Sequence, residues 1–438
     1  MSDASPGPAA RLTALLNDRR WTAGVIGLGY VGLPLAIAAT GRGLGAVGFD
    51  VDSDRVATLR AGRSHVDDVT DTELKAAIDA GLTFTDGEAD LAACDAIFIC
   101  VPSPLGVNRQ PDLSYIEAAA ATAARVAHSD MVVSLESTSY PGTTDDLVVP
   151  ALEQAGLKID QDVFVAFSPE RVNPGSDFDP TAIPKIVGGV SPTSGDVVAA
   201  AYRRMFDTVH VVSTARAAEM AKLLENTYRA VNIALVNEMA QLAHQLGIDI
   251  WEVVDAAATK PFGFQAFYPG PGVGGHCIPL DPQFLAWRAR QARFATRFID
   301  IAEQINTAMP AYVAERVADL LNTHGLPLFG TRVLGIGISY KPNINDDRES
   351  ASIEVLEQLK RRGAEVTVLD PIVGNDRIRH WGFEPVDADD LGGPAVAVVL
   401  TDHDAVDLAA IADAVPIVFD SRGAYRRRAI ERSNVVVL

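Results

Sequence analysis

The sequence predicts an α/β fold, two doubly wound parallel sheets joined by a long central helix, and three observations carry that prediction. Apolar runs alternate with helical segments in two separate series, from Ala23 to Phe167 and from Arg332 to Phe419. Strand and helix in alternation make parallel sheets. The first series opens with Gly27-Leu28-Gly29-Tyr30-Val31-Gly32 between its first strand and first helix. Between the series, Met220, Leu224, Tyr228, Val231, Leu235, Met239, Leu242 and Leu246 recur at steps of three and four, tracing one apolar stripe.

At 438 residues the chain exceeds one compact core and should divide into two or three domains. The net charge of −20 excludes non-specific attraction to nucleic acid or anionic lipid, so an anionic small substrate needs a local group of Lys and Arg. Cys94, Cys100 and Cys277 form neither a metal-ligand spacing nor an even disulfide set, which points to a reducing compartment and no bound metal. No apolar stretch has the length of a membrane span or the form of a signal peptide. The expectation is a soluble cytoplasmic protein whose residues 1–20 are a flexible extension.

The glycines of Gly27 to Gly32 permit a tight turn that seats a pyrophosphate on a helix N-terminus, with the helix at 33–40. Eighteen residues after Gly32, the strand 46–49 ends in Asp50, which can accept from a ribose 2′-hydroxyl and repels a 2′-phosphate. The expected cofactor is therefore NAD. Strands at 95–101, 131–135 and 163–167 follow, with helices at 114–127 and 143–155. Two strand ends carry polar groups, Glu136-Ser137-Thr138 and Ser168-Pro169-Glu170-Arg171. Ligands in open α/β sheets gather at such ends, although turn or capping roles are the default for Thr138 and Glu170.

The striped helix, about 50 Å long at 1.5 Å per residue, runs from a candidate N-cap at Ser213 to a candidate terminator at Gly247. It can bridge two domains or pair with a copy of itself. Lys222 and Asn226 share a face off the stripe, by default a solvated one. Residues 269–282, rich in Gly and Pro around Cys277, read as a shaped loop in which Cys277 could attack and Asp281 could move a proton. After it the chain reads as helix to about residue 321, and 322–331 is a linker. The second α/β series keeps only Gly335 and Gly337 of a glycine motif, which favours a mononucleotide or no ligand over a second dinucleotide.

In order along the chain, Gly27 to Gly32, Ser137-Thr138 before Pro141-Gly142-Thr143, Ser168 to Arg171, Lys222 through Asn226, Gly274-Gly275-His276-Cys277, and Tyr340-Lys341 with Asp347-Arg348-Glu349-Ser350 resemble the UDP-glucose/GDP-mannose dehydrogenase family. The resemblance spans about residues 23–423. It implies two Rossmann-like domains, for NAD (21–212) and for a UDP-sugar (322–438), around a central helical dimerisation region (213–321), and hence a homodimer or higher homo-oligomer. It also implies oxidation of a sugar C6 alcohol to a carboxylate with Cys277 as nucleophile.

Further roles follow from the resemblance. Lys222 and Asn226 serve the tetrahedral species, Asp281 and Glu170 the hydrolysis, and Thr138 orders water. NAD falls to Gly27, Gly29, Tyr30, Val31, Gly32, Asp50, Arg55, Thr138 and Arg348, with Arg348 able to reach a neighbouring subunit's cofactor. Glu170, Arg171, Lys222, Asn226, Tyr268, Gly274, Lys341 and Arg422 fall to the substrate. Leu280 stands where enzymes for UDP-glucose commonly carry lysine, and Ser168 to Gly175 looks more like the branch acting on UDP-N-acetylhexosamines. The expected substrate is UDP-N-acetyl-D-glucosamine, with UDP-N-acetyl-D-mannosamine and UDP-glucose as alternatives. A two-electron hydroxyacid dehydrogenase needs neither Cys277 nor the second α/β domain, and a non-catalytic nucleotide-binding protein needs none of the polar set.

Overall fold

The computed structural model describes residues 7–18, 21–106, 110–171, 180–275 and 277–438; His276 and Val172 to Gly175, quoted in the motifs above, lie outside them. The chain forms two compact units, Met1–Glu225 with Gln283–Phe294, and Asn226–Pro282 with Ala295–Leu438.

The first unit carries β1 (Thr22–Ile26), β2 (Gly45–Phe49), β3 (Leu82–Thr85), β4 (Ala96–Ile99), β5 (Met131–Leu135), β6 (Val163–Phe167), β7 (Lys185–Gly189) and β8 (Val209–Val212). Their spatial order is β3-β2-β1-β4-β5-β6-β7-β8. The first six follow the doubly wound dinucleotide-binding order. Val25, Phe98, Val132 and Phe164 point into one buried layer, and Ile26, Ile97, Val133 and Val165 into the other. Burial on both faces explains why these strands read as unbroken apolar runs. Pairings are parallel except β6 with β7, which run antiparallel. β3, β7, β8 and the Pro192–Met205 helix between the last two were not foreseen.

Residues expected as a flexible extension include an ordered helix, Pro8–Asn17, that buries Leu12 and Leu16 in the first core layer. Pro at its first position fits the helix, because the missing N–H there has no intrahelical partner. The helix expected at 143–155 begins as a π-helical turn, Thr144–Val148, before Val149–Gln154.

The second unit carries β9 (Arg332–Ile336), β10 (Glu365–Leu369), β11 (Glu384–Pro385), β12 (Val396–Val399), β13 (Ile417–Asp420) and β14 (Val435–Val437), in the order β11-β10-β9-β12-β13-β14. Asp370, after β10, accepts N–H groups from Ile338 (2.7 Å), Ile372 (2.9 Å) and Val373 (2.8 Å) and sits 3.2 Å from His403 Nε2. Burial pushes this carboxyl up, but the His403 contact and the N–H groups hold it below its ordinary range. Its oxygens are consumed within the protein.

The long helix is Ala215–Leu246. Thr214, one residue past the expected Ser213, accepts the Ala217 N–H at 3.1 Å. Gly247, at φ +68°, ends the helix as expected. Its two faces invert the expectation. Leu224, Leu235 and Leu246 of the stripe are 58%, 53% and 62% exposed, whereas Lys222 and Asn226 are buried. Among the described residues no helix is long and apolar enough to cross a membrane.

Candidate active site

In the first unit, Gly27 has φ +91°, and a Cβ on it would lie 2.7 Å from Cys100 O. At Gly32 a Cβ would meet Gly27 O at 1.8 Å, so both turns of this loop require glycine. Nothing lies within 4 Å of a Cβ on Gly29, which leaves the loop's outer face clear. Asp50 is buried at the end of β2 and accepts the Leu28 N–H at 3.0 Å and Arg55 Nη1 at 2.9 Å. A clear glycine face beside a carboxylate at the strand end fits a dinucleotide, with Gly27, Gly29, Tyr30, Val31, Gly32, Asp50 and Arg55 as the residues that would hold it.

Thr138 is half-buried after β5. The turn behind it is fixed by Glu219 of the long helix, whose carboxylate accepts the Gly142 N–H, the Thr144 N–H (2.9 Å) and Thr144 Oγ1 (2.8 Å). Burial raises the Glu219 carboxyl even so. One turn farther along this helix, Lys222 Nζ donates to the Glu170 carbonyl at 2.6 Å. Arg171, expected at the substrate, donates to Glu225 at 2.7 and 3.3 Å and to Pro184 O at 2.9 Å.

In the second unit, residues 269–275 have no regular secondary structure, but the helix Cys277–Gln291 starts at the cysteine itself, so the expected loop ends earlier than residue 282. Proline is compatible with a first helical turn, which removes the objection to helix at Pro279. Cys277 is exposed. The helix sets Asp281 four residues on, one turn above Cys277 on the same face. Asp281 is buried and accepts from Asn226 Nδ2, while Arg229 donates to Asn226 Oδ1. Asn226 is thereby oriented with its amide hydrogens toward the carboxylate.

The preceding loop is anchored by buried amides. Gly270 N–H donates to Asn237 Oδ1 (3.0 Å), Asn237 Nδ2 to Asn306 Oδ1 (3.1 Å), and Asn306 Nδ2 to Ala230 O (3.0 Å). Gly275 N–H donates to Arg348 O at 3.1 Å, and a Cβ on Gly274 would lie 2.7 Å from Glu349 O. Arg422 lies against Gly270, where a Cβ would meet Nη1 at 2.8 Å. Burial pushes its guanidinium down to about 10. Lys341 is half-buried next to Tyr340. Tyr268 stacks on Trp251 at 5.5 Å and donates to Asp255 at 2.9 Å. Arg348 lies two-pronged on Asp346, with Nη2 at 2.6 Å.

The structure therefore joins Glu170 with Lys222 in one unit, and Asn226, Asp281 and the Cys277 helix in the other. Sequence reasoning did not find Glu219, Asn237, Asn306 or Lys185. Only Lys185 left a signal, a charge heading the otherwise apolar run Ile186 to Val190.

A chain with this fold and these two residue sets is an NAD-linked oxidoreductase of the nucleotide-sugar kind. It belongs to the UDP-glucose/GDP-mannose dehydrogenase family, with the NAD binding domain matched over residues 22–206, the central domain over 216–308 and the UDP binding domain over 334–427. It is 37% identical over 366 residues to UDP-N-acetyl-D-glucosamine 6-dehydrogenase of Pseudomonas aeruginosa, covering 83% of this chain and 86% of that protein. It is 36% identical over 382 residues to UDP-N-acetyl-D-mannosamine dehydrogenase of Pyrococcus horikoshii, covering 86% and 88%. A solved structure of the UDP-D-ManNAc dehydrogenase from Pyrococcus horikoshii superposes with a TM-score of 0.85 at 33% identity, covering 95% of this chain and 97% of that one.

Proposed function

We propose that the chain oxidises the C6 alcohol of a UDP-N-acetylhexosamine to the uronate in two successive two-electron steps, with Cys277 as the nucleophile between them. The observation that carries this reading is Cys277 on the first turn of a helix, one turn below an Asp281 whose carboxylate Asn226 holds. NAD, which Gly27, Gly29, Tyr30, Val31, Gly32, Asp50 and Arg55 would hold, would supply the hydride acceptor for each oxidation.

After the first oxidation, Cys277 Sγ bonds to the aldehyde C6 and the oxygen takes a proton, giving a thiohemiacetal. A helix N-terminus favours a thiolate over a thiol, which suits this attack. The second oxidation removes hydride from C6 and the proton from oxygen, leaving a thioester. Water then adds, the C–S bond breaks, and the acid leaves with Cys277 restored. Asp281 takes the water's proton, with Glu170 and Thr138 ordering that water. Lys222 and Asn226 donate to the oxygen that gains charge in each tetrahedral species. Lys341 and Arg422 supply positive charge for the pyrophosphate in a chain of net charge −20. Arg348 serves the cofactor of a neighbouring copy.

UDP-N-acetyl-D-glucosamine is the preferred substrate in this reading, supported by Leu280 in place of a lysine and by the 37% identical relative. The mannosamine epimer is the second reading, supported by the Pyrococcus protein. The exposed apolar stripe of the long helix supports pairing with a second copy, in a cytoplasmic enzyme of polysaccharide precursor synthesis. The deciding experiment is NADH formed per sugar, at excess NAD and limiting UDP-N-acetylglucosamine, UDP-N-acetylmannosamine or UDP-glucose. Two NADH per UDP-N-acetylglucosamine is expected. One NADH returns the chain to a two-electron dehydrogenase, and a higher kcat/KM on UDP-glucose overturns the substrate.

A further inference from the structure

Lys185 is a fully buried ammonium that the reaction above leaves without a task. It heads β7, and β7 is the strand that returns antiparallel beside β6, pairing Gly189 with Ala166 and Gly188 with Phe167. Continuing that register past Phe167 brings Lys185 opposite Glu170. A parallel strand would have carried it to the far end of the sheet. Lys185 Nζ lies 2.7 Å from Glu136 Oε2 and 3.2 Å from Glu170 Oε2.

Glu136 needs little more from its neighbours. Its other oxygen accepts the Tyr202 hydroxyl at 2.6 Å, and that hydroxyl meets Ser134 Oγ at 2.9 Å. Burial pushes the Lys185 ammonium down, but the two carboxylates more than offset that and hold it above its ordinary value. A buried ammonium has three protons to place, and Glu136 takes one of them. The second contact reaches past the buried pair to a carboxylate still 20% exposed at the strand end, where it can serve a ligand. Meanwhile the Arg171 N–H donates to Glu170 Oε1 at 2.6 Å and Lys222 holds the Glu170 carbonyl.

We propose that Lys185 is a positioning residue for the reaction, anchored by Glu136 and Tyr202, that aims the Glu170 carboxylate and keeps it ionised for the hydrolytic step. The proposal rests on the reading of Glu170 as a carboxylate that serves thioester hydrolysis. Among the described residues, the charged and titratable groups around Glu170 include Lys185 on β7, Glu136 after β5, Cys100 after β4, Lys222 on the long helix, and its neighbour Arg171 with Glu225. Two substitutions move the balance of these groups in opposite directions. Glu136→Gln removes the competing carboxylate and leaves Lys185 to Glu170; the new amide can accept from Lys185 and donate to Tyr202. Glu136→Gln with Lys185→Met removes both charges of the buried pair at once, and with them the ammonium 3.2 Å from Glu170.

The readout is the Glu170 carboxyl titration in the resting enzyme by carbon-detected NMR, its signal assigned by its loss in Glu170→Gln. It is paired with the pH profile of kcat. Relative to the parent, E136Q should titrate about one pH unit lower, and the double variant about one unit higher. The double variant should also lose roughly tenfold or more in kcat, with a change in sugar KM below about threefold, and the acid limb of its profile should move up. Lys185→Arg should keep the parent titration to within about half a unit.

A Glu170 titration that is the same in the parent, E136Q and the double variant overturns the proposal. So does a shifted titration with unchanged turnover, since Lys185 would then aim a carboxylate that the reaction does not use. If the double variant does not fold, Glu136→Gln with Lys185→Gln takes its place with the same upward shift expected relative to E136Q, because loss of the Glu136 charge lowers the Glu170 titration by itself. The titration needs no substrate, so a parent enzyme that forms no NADH refutes the proposed function separately.

Discussion

Replacing Gly275 by alanine tests whether the backbone beside Cys277, the proposed nucleophile, is as constrained as its geometry implies. Gly275 has φ +81°, and a Cβ on it would lie 2.8 Å from Tyr340 Cε2 and 3.0 Å from Cδ2 and Cζ. An L side chain in the left-handed region costs about 1–2 kcal/mol, and forcing a carbon into an occupied space costs about 1–3 kcal/mol more. Gly325, in the linker after the Arg297–Thr323 helix, separates the two effects: its φ is +71° and nothing lies within 4 Å of a Cβ there. Urea denaturation should give a loss of roughly 2–5 kcal/mol for G275A and about 1–2 kcal/mol for G325A. Because Gly275 is two residues before Cys277, displacement of its peptide from the Arg348 carbonyl should shift the thiol. A misplacement near 1 Å costs about a hundredfold, so kcat/KM for NADH formation should fall by roughly 10–100-fold in G275A and hold in G325A. If G275A is no less stable than G325A and fully active, the loop is not shaped as argued.

Cys277→Ser should abolish the second oxidation, so turnover falls by about a thousandfold or more and NADH per sugar drops to one or less; two NADH at an undiminished rate would remove the thiol from the reaction. Leu235→Glu combined with Leu242→Glu puts charge on the exposed stripe of the long helix, where both residues are open, and sedimentation velocity should shift the protein toward a single chain. For Asp347, burial pushes the carboxyl up, but hydrogen bonds from Arg377 (2.6 Å) and Trp381 (2.6 Å), with the guanidinium's charge, leave it below its ordinary value. A carboxyl lowered in the folded state adds stability that is complete above the unfolded value near 3.9 and is lost as pH falls through the lower folded value. Asp347→Asn should therefore be less stable than the parent at pH 7, with the gap closing below about pH 4 in denaturant midpoints.

Much of the architecture was legible because it depends on local pattern. β5 and β6 coincide with the apolar runs that announced them, since a strand buried on both faces has no polar register to obscure its ends. β7 and β8 escaped notice because Lys185 heads the first and His210 interrupts the second. The striped helix was found within two residues at either end, yet which face it buries was not predictable from its period. Apolar spacing reports that a face is covered by something, and a partner outside the chain leaves the same trace as a core.

The sequence by itself determined the strands β1, β2, β4, β5 and β6, the long helix, and the glycine loop with its acid. Each of these is a relation between residues near one another in the chain, where backbone geometry alone sets the distance. Tertiary structure decided which polar groups meet. Glu219 holds the turn after Thr138 from 75 residues away, Asn306 steadies the loop before Cys277 through Asn237, and Lys185 faces Glu170 because β7 turns back against β6. A buried charge or amide is stable only where its partner arrives, and that partner is chosen by how the sheet is threaded, which no local spacing records.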